Sequence, residues 1–579
     1  MIAARRWLGS AALAAAAMLL TACTTIPTSG PVNEGTGVVS SAEPFVPIAD
    51  GPRLDDGPTQ IVNGFVRAST AGFASDFSVA REFLTQEAAA SWDPTEKVIV
   101  FDSGALTPTF DATTATVTYD IPVKATVDSS GHLTEAADGT RQTLRFGMQM
   151  NDEGQWRISG LDNGAILAYA SFQGLFTDVD LIFASVDEST QVPDQRWFPA
   201  NKAATLAAKE LVEGPSPLLA GAVHTGFPAT SALEVESVQV TNGVASVQLT
   251  ADSAGNAAER SLAQQQMDLT LRSVGGISAV TVTVGGLPLG GDGSAALGPA
   301  PLPGIEAYAF VNERLGMWDG ADVWQVRNSV GGLPPNSRGI ARTFTDGRAV
   351  WLLGAGTLVS SDAVYEGAKS LDPAPESDDP AGSVMKTTTL YEGTSLINPS
   401  TDRHGWIWTA ERDGEHGLIA VDGSGEAIQL DADWLRGTTI QALALSRDGA
   451  RVAVLSRAGG RQMLEFAAIV RGDDGAPLSI GEPQTYGIDL GPSIGLTWLD
   501  DLTVAVLGEA GGDVQNDLWL VDVGGFTTEM KAVTNAVDIT ARQGERSLIV
   551  VDAGGSVYIR SGTVWSKVTT GVRELAYSG

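Results

Sequence analysis

The sequence has 579 residues, a formal net charge of −33 at pH 7 and 43% hydrophobic residues. A chain of this length allows three or four domains, and its hydrophobic content is sufficient for substantial cores. The strong negative charge excludes nucleic-acid binding through phosphate neutralisation and predicts repulsion from an anionic membrane surface.

The first segment combines two arginines, an apolar run and a single cysteine. Arg5 and Arg6 precede a nearly continuous apolar run that ends in Leu20-Thr21-Ala22-Cys23. These are the parts of a secretory signal peptide, and the run is short for the ~30 Å hydrocarbon core of a membrane. Cys23 is the only cysteine, and its setting resembles a bacterial lipobox. We predict a signal peptide at residues 1–22 and lipidation of Cys23; a plain signal peptide or an anchor helix is the alternative.

Lipidation has consequences for the mature chain. Removing residues 1–22 changes the net charge from −33 to −35, because they contain two arginines and no acid. With Cys23 modified, no disulfide can form. No other stretch reaches eighteen consecutive apolar residues. Acyl chains such as palmitate on Cys23 would therefore hold the acidic protein at the membrane, which takes more than one chain. We expect the extracytoplasmic face of the cell membrane as its location.

Residues 23–57 lack a helical period and predict a flexible tether with a reach of roughly 30 Å. Helical spacing then predicts a helix at Pro58–Thr70 and a second helix that runs through Phe83 and Leu84. Strands follow at Lys97–Phe101 and in the segments up to Ser159. The domain at residues 58–172 is thus predicted to be an α+β cone, and Gly154-Gln155-Trp156-Arg157-Ile158 resembles the last strand of the nuclear transport factor 2-like fold.

Residues 173–290 predict a second α+β domain in the order β-α-β-β-α-β. Its clearest signal is Thr241-Asn242-Gly243 between two β-branched runs, because Asn-Gly favours a tight hairpin. The order resembles the GerMN domain. The matching residues are Gln195-Arg196-Trp197, Leu211-Val212-Glu213-Gly214-Pro215 and Asn242-Gly243-Val244-Ala245-Ser246-Val247.

A linker is predicted at residues 291–304, and beyond it the helical period disappears. Short strands recur with turn-to-turn spacings of about 43 to 56 residues, and this period is typical of propeller blades. We predict a β-propeller at residues 305–579. The terminal strand Val572–Tyr577 would complete a blade that begins at Ala307–Val311, which gives six blades and removes an open sheet edge.

The sequence predicts no catalytic or cofactor-binding residues. Gly491-Pro492-Ser493-Ile494-Gly495 has the spacing of a hydrolase elbow but lacks the helix that such an elbow needs. Ser383-Val384-Met385-Lys386 lies in a loop without a companion motif, and Arg471-Gly472-Asp473 is a chance tripeptide in a blade loop. The four histidines lack metal-ligand spacing, and His132 is expected to be exposed in a turn without an Asp partner. The acidic loop Asp372–Asp379 is interpreted as a solvated insertion. No cofactor or metal is predicted.

The order of lipobox, tether, cone, GerMN unit and propeller resembles the actinobacterial lipoprotein LpqB family over essentially the whole chain. The family is an accessory of the MtrA–MtrB two-component system. The resemblance implies contact with the extracellular sensor region of the kinase, and effects on cell-wall homeostasis and division. The residues alone support a lipid-anchored binding protein. A peptidoglycan-binding scaffold and, as a further alternative, a propeller hydrolase acting on wall glycan stay open.

Overall fold

The computed structural model of the chain describes residues 49–102, 107–290, 296–320, 323–326, 331–361, 384–487 and 489–577. These residues form two α+β domains followed by a β-propeller, in the predicted order.

The first domain packs helices against one sheet. Pro58 begins the first helix, where its missing N–H costs nothing, and Ile61, Phe65 and Ala68 face the core as the spacing predicts. The sheet has the order β6-β5-β3-β1-β7, with β2 and β4 also paired to β3. The elements are α1 (Pro58–Gly72), α2 (Ser78–Arg81), α3 (Gln86–Ser91), β1 (Lys97–Phe101), β2 (Thr109–Asp111), β3 (Thr116–Asp128), β4 (Leu133–Glu135), β5 (Arg141–Met150), β6 (Trp156–Gly160) and β7 (Ala165–Ala168).

The prediction of one continuous second helix is wrong. Phe83 and Leu84 lie between the short helices α2 and α3. The N–H of Thr85 donates to the carbonyl of Ile158 at 2.8 Å, and the N–H of Ile158 donates to the carbonyl of Phe83 at 2.9 Å. The backbone of this segment therefore bonds to the edge strand β6 instead of continuing the helix.

The second domain has two sheets and two main helices. Strands β8 and β9 form a two-stranded antiparallel sheet, whereas β10 to β13 form a four-stranded sheet in which β11 and β12 are parallel. Asn256 and Glu259 form a capping box at the start of the longer helix. The elements are α4 (Tyr169–Leu175), β8 (Phe176–Ala184), β9 (Gln191–Pro199), α5 (Ala203–Glu213), β10 (Gln239–Thr241), β11 (Val244–Leu249), α6 (Ala257–Ser273), β12 (Ala279–Val284) and β13 (Leu287–Pro288).

The described part of the predicted linker packs against this domain. Leu297 and Ala300 are both buried. The N–H of Gln191 donates to the carbonyl of Gly298 at 2.8 Å. Residues 296–300 are therefore tied to β9.

The third part consists of antiparallel sheets, each built around four strands in a row. Its strands are β14 (Ala307–Val311), β15 (Arg314–Trp318), β16 (Val323–Gln325), β17 (Ser337–Arg342), β18 (Ala349–Leu353), β19 (Thr357–Ser360), β20 (Thr388–Glu392), β21 (Ser400–Thr401), β22 (Ile407–Ala410), β23 (Leu418–Val421), β24 (Ala427–Leu430), β25 (Thr439–Leu445), β26 (Arg451–Ala458), β27 (Arg461–Arg471), β28 (Pro477–Ile480), β29 (Gln484–Tyr486), β30 (Ser493–Trp498), β31 (Thr503–Gly508), β32 (Gln515–Asp522), β33 (Thr528–Thr534), β34 (Ala536–Thr540), β35 (Ile549–Asp552), β36 (Ser556–Ser561), β37 (Val564–Thr570) and β38 (Val572–Ala576).

The described residues after 304 contain six such sheets, five with four strands and one in which β29 pairs with β27 as a fifth; five of the six use consecutive strands. The remaining sheet has the order β16-β15-β14-β38, with Tyr308 opposite Ala576 and Ala309 opposite Leu575. The predicted closure of the ring through β38 is confirmed by this pairing.

Buried aromatic and charged side chains hold neighbouring blades together. Trp408 is fully buried, and its Nε1 donates to Asp402 Oδ2 at 2.8 Å. The same carboxylate oxygen accepts from Arg471 of the next blade at 2.6 Å, with both charged side chains almost fully buried. A buried ion pair is costly unless its hydrogen bonds are satisfied, and Asp402 meets this condition because its Oδ1 also accepts two backbone N–H groups.

Candidate functional site

Several residues singled out in the sequence lie outside the described ranges. Cys23, the tether up to residue 48, Asp372–Asp379 and Ser383 are among them. The lipidation of Cys23 therefore stays a prediction.

The elbow-like serine has a structural role. Ser493 is buried at the start of β30, and its Oγ donates to the carbonyl of Gly491 at 2.8 Å. A strand follows it, so the strand–turn–helix geometry of a nucleophile elbow is not met. Arg471 ends strand β27 and is buried in its ion pair with Asp402, so Arg471-Gly472-Asp473 is not an exposed loop motif.

The expectation that His132 is exposed without an Asp partner is wrong. Its side chain is 28% exposed, and its Nδ1 lies 3.4 Å from Asp128 Oδ2 and 2.7 Å from Ser130 Oγ. A tight turn between β3 and β4 brings these side chains together. Within the described ranges, no group of three His, Cys, Asp or Glu residues could hold a metal ion.

The central channel of the propeller contains two acidic side chains, Asp538 and Glu574, in a cavity of about 160 Å³. Asp538 accepts hydrogen bonds from the N–H groups of Ile539 and Leu575, both at 3.0 Å. Burial, followed by the charge of Glu574, raises the pKa of Asp538 to about 7. Burial also raises the pKa of Glu574. The negative charge of Glu574 acts on Asp538, as one carboxylate acts on the other in a catalytic pair. Both side chains, however, already accept hydrogen bonds from backbone N–H groups.

An aromatic cluster joins all three domains. Trp197 of β9 donates from Nε1 to the carbonyl of Gly524 in the propeller at 2.8 Å. The ring of Phe526 lies 5.9 Å from Trp197 and 5.1 Å from Tyr169, and Lys124 Nζ lies 4.9 Å from the Tyr169 ring centroid. Aromatic pairs at such spacings add stabilisation beyond buried area.

Polar contacts surround this cluster. Glu135 of the first domain accepts from the hydroxyl of Thr527 in the propeller at 2.6 Å. Arg403 of the propeller pairs with Asp187 of the second domain at 3.1 Å. Arg451, which is 1% exposed, pairs with Asp448 at 2.9 Å and also donates to the carbonyl of Pro193. These bonds fix the propeller to the other two domains.

Buried carboxylates also lie at this junction. Burial, followed by the neighbouring Asp178, raises the pKa of Asp180 to about 6. Burial raises the pKa values of Asp501 and Asp522 to about 6 as well. Nearby acidic groups add to each shift, so the junction is most easily packed when these groups are protonated.

Among the described residues, two of the cavities have the volume of a small-molecule site. The larger, of about 660 Å³, lies in the first domain and is lined by Gln60, Asn63 and Arg67 of α1 and by Tyr119 of β3. Tyr119 donates to Asn63 Oδ1 at 3.1 Å, which orients the amide. The other, of about 360 Å³, lies where the three domains meet; we call it the junction cavity. Its wall includes His132, Gln195 and Arg451.

Three family models match the chain in the order of its domains. "Lipoprotein LpqB, N-terminal domain" matches residues 51–173, "Sporulation and spore germination" matches 177–290, and "Lipoprotein LpqB beta-propeller domain" matches 381–575. The chain belongs to the LpqB lipoprotein family. The second match supports the predicted GerMN-like domain, whereas the nuclear transport factor 2-like assignment of the first domain stays a prediction.

Proteins named "Lipoprotein LpqB" are similar to this chain over most of its length. The protein of Bifidobacterium longum is 25% identical over 95% of this chain and 94% of its own. That of Thermobifida fusca is 28% identical over 92% of each chain. That of Mycolicibacterium smegmatis is 26% identical over 84% of each chain. Where this LpqB-family chain is described, none of its helices is long and apolar enough to cross a membrane.

Sequence reasoning missed the junction residues of this LpqB-family protein. Trp197 was noted only as part of a motif, and Phe526 and Arg451 were not singled out. A useful signal was present in Gly524-Gly525-Phe526, where a large aromatic residue follows two glycines in a blade turn. An aromatic residue at a solvent-facing turn often marks a contact.

Proposed function

We propose that this protein is a lipid-anchored, extracytoplasmic accessory protein that binds the sensor region of a membrane histidine kinase. It would thereby modulate two-component signalling for cell-wall homeostasis and division. The observation that carries the proposal is the joining of all three domains through the aromatic and polar contacts around Trp197 and Arg451. Because the three domains are joined, the effect of a contact made by one domain can be transmitted to the other two. Membership of the LpqB family supports the link to the MtrA–MtrB system that the resemblance implies.

The chemistry-bearing side chains support binding over catalysis. Asp538 and Glu574 accept hydrogen bonds from backbone N–H groups, Ser493 donates to a backbone carbonyl, and Arg471 is paired with Asp402. Each group therefore already holds the fold together. We accordingly propose that the protein is not an enzyme, and the propeller-hydrolase alternative requires Asp538 or Glu574 to leave these bonds.

Confinement to one membrane supports a weak but effective contact. Acylation of Cys23 and a tether with a reach of roughly 30 Å would hold the folded domains near any kinase sensor region on the same surface. Anchoring both partners raises their effective concentration. A coupling of about 1–3 kcal/mol between binding and kinase state then suffices to change output.

The GerMN-like domain offers a surface for this contact. Val240 of β10 is 47% exposed, Val244 of β11 is 36% exposed and Leu287 of β13 is 72% exposed. Val240 and Leu287 lie on the two edge strands of this sheet, and an exposed apolar edge strand favours contact with another chain. We propose that this sheet, which we call the GerMN sheet, contacts the kinase sensor region.

Reconstitution tests the function. Full-length kinase in liposomes is assayed for autophosphorylation with the acylated protein, with a Cys23→Ala chain and without either. The proposal expects a change with the acylated protein only. Unchanged autophosphorylation, together with no crosslink to the sensor region in cells, would favour a passive scaffold.

A glycan-binding role is the second candidate, because the first-domain cavity combines amide groups of Gln60 and Asn63 with the aromatic Tyr119. Retention of the protein on purified peptidoglycan, abolished by Asn63→Leu, would support that role. A turnover assay on the same wall fragments separates it from a hydrolase.

A further inference from the structure

The junction cavity has unused hydrogen-bonding groups in its wall. Arg451 Nε, Gln195 Oε1 and His132 Nε2 are each buried and have no hydrogen-bond partner among the described residues. They come from the propeller, the second domain and the first domain, respectively. Buried polar groups are nearly always paired with protein, water or ligand. Three unpaired groups on one cavity therefore indicate that something polar is bound there.

The tautomer of the neutral His132 ring follows from its hydrogen-bond neighbours. Ser130 Oγ donates its single proton to Asp128 Oδ1 at 2.7 Å. Ser130 Oγ also lies 2.7 Å from His132 Nδ1. Because the hydroxyl proton is already donated to Asp128, Nδ1 must be the donor in this second contact. In the neutral ring Nε2 is then an acceptor. The cavity thus offers one donor, Arg451 Nε, and two acceptors, Gln195 Oε1 and His132 Nε2.

The charged groups that line the cavity already have ion-pair or hydrogen-bond partners. Arg451 is paired with Asp448 at 2.9 Å, and Asp194 is paired with Arg196 at 2.9 Å. Glu135 accepts a hydrogen bond from Thr527, and Asp128 accepts one from Ser130 and lies 3.4 Å from His132 Nδ1. An anionic ligand would therefore find no unpaired cation among these groups, and the carboxylates that a cationic ligand would meet already accept hydrogen bonds. The cavity therefore keeps an unpaired hydrogen-bond donor and unpaired acceptors. These groups lie beside the apolar residues Leu218, Leu219 and Val523.

Hydroxyl groups on an otherwise apolar ring meet these requirements, because each hydroxyl both donates and accepts. The volume of about 360 Å³ lies within the range of small-molecule sites. Thr134 and Thr485 line the cavity and are exposed, which leaves a path from solvent. We propose that the junction cavity binds a neutral, monosaccharide-sized polyol, which contacts all three domains at once. This proposal does not depend on kinase binding.

The test uses the full-length protein in detergent and three sugars that share one ring: glucose, glucosamine and glucuronate. Binding is measured by calorimetry and by intrinsic tryptophan fluorescence, since Trp197 donates to the carbonyl of Gly524, which lines the cavity. We expect saturable binding of glucose, weaker binding of the cationic and anionic analogues, and a higher melting temperature with glucose. Loss of one acceptor in Gln195→Leu should weaken binding about tenfold.

Two further variants keep the test decisive. Thr485→Val alters the exposed rim and should weaken binding even if Gln195→Leu perturbs domain packing. Gln429→Leu makes the same change at an exposed position on β24 and should bind like the unmodified protein. Absence of saturable glucose binding, tighter binding of either charged sugar, or equal binding by Gln195→Leu and Gln429→Leu would overturn the proposal and leave a water-filled cavity.

Discussion

Glu574 Oε2 accepts a hydrogen bond from the backbone N–H of Gly339 at 2.6 Å and a second from Ile340 at 3.1 Å. Glu574 lies on β38, whereas both glycine and isoleucine lie on β17 of the next blade. Arg573 adds a bond from its guanidinium to the carbonyl of Ser337 at 2.8 Å. The strand that closes one sheet thus also fastens the neighbouring sheet.

The first prediction follows from this bond. Glu574→Ala leaves two backbone N–H groups at the channel without an acceptor, which costs about 1–3 kcal/mol for each buried group. We expect a melting temperature lower by several degrees in thermal unfolding. Glu392→Ala, at an exposed position on β20, should leave it unchanged. An equal effect of the two substitutions would show that the bond does not stabilise the ring.

Removal of residues 571–579 should open the propeller. Val572, Leu575 and Tyr577 are 0%, 2% and 8% exposed, and burying such a side chain is worth about 1.5–3 kcal/mol. The summed loss is comparable to the ~5–15 kcal/mol that stabilises a typical domain. We expect increased protease sensitivity and loss of the cooperative unfolding transition.

A point-substitution pair separates closure from simple shortening. Leu575→Ser should reproduce part of the deletion's effect, while Val568→Ser, at a position that is 39% exposed on β37, should have little. Full thermal stability of the deleted chain would contradict closure through β38.

Asp538 should make the propeller less stable as pH rises. Burial raises the pKa of Asp538 to about 7, above the value of about 3.9 expected in the unfolded chain. The folded state therefore keeps a proton that the unfolded state releases. This contribution is fully present below the unfolded pKa and is lost as pH rises through the folded value.

Asp538→Asn removes this titration. Between about pH 5 and pH 8, the melting temperature of the unmodified protein should fall more than that of Asp538→Asn. Asp180, Asp501 and Asp522 change in the same direction in both proteins, so the difference between the two curves isolates Asp538. Parallel curves would show that Asp538 is ionised throughout this range.

Cys23→Ala should release the protein from the membrane or leave an uncleaved precursor. The sole cysteine would be the site of every acyl chain, and the acidic body has no other attraction to an anionic surface. Fractionation and incorporation of a palmitate analogue measure this outcome, with Thr24→Ala as the matched control. A membrane-bound mature form of unchanged mass would exclude lipidation at Cys23.

Charges on the GerMN sheet should weaken contact with the kinase. In Val240→Asp and Val244→Asp, a carboxylate replaces an exposed apolar group, and desolvating it at an interface is unfavourable. We expect a loss of crosslinking to the sensor region in cells without a change in melting temperature. Val564→Asp, at a position that is 61% exposed in the propeller, is the control. Undiminished crosslinking of the GerMN variants would place the contact elsewhere.

Local patterns predicted much of the fold because they are governed by local physics. Lys97–Phe101 and Ala307–Val311 are strands with the expected bounds, and the predicted turn at Asn242-Gly243 joins β10 to β11. The pairing of β38 with β14 could also be inferred, since a lone strand and an incomplete blade complement each other. The interruption between α2 and α3 could not, because it depends on bonds to β6, which is distant in sequence.

The contacts at the junction of the three domains could not be predicted from the sequence for a similar reason. The turn that orients His132 is local, but the burial of its Nε2 depends on the propeller and the second domain. Arg451 resembles any arginine after an Asp-Gly turn until its contact with Pro193 is known. Periodic sequence patterns indicate which residues are buried within one domain. They do not indicate which residues contact another domain.

The pairing of β14 with β38 has a consequence for biosynthesis. These strands lie at opposite ends of the propeller sequence, so a chain made from its N-terminus holds an unpaired edge on β14 until β38 has emerged. Such long-range pairing is slow, and exposed edges are prone to aggregate. Truncated chains would keep that edge open, and proteases could recognise it. The closing strand therefore also provides a check that only completely synthesised molecules persist.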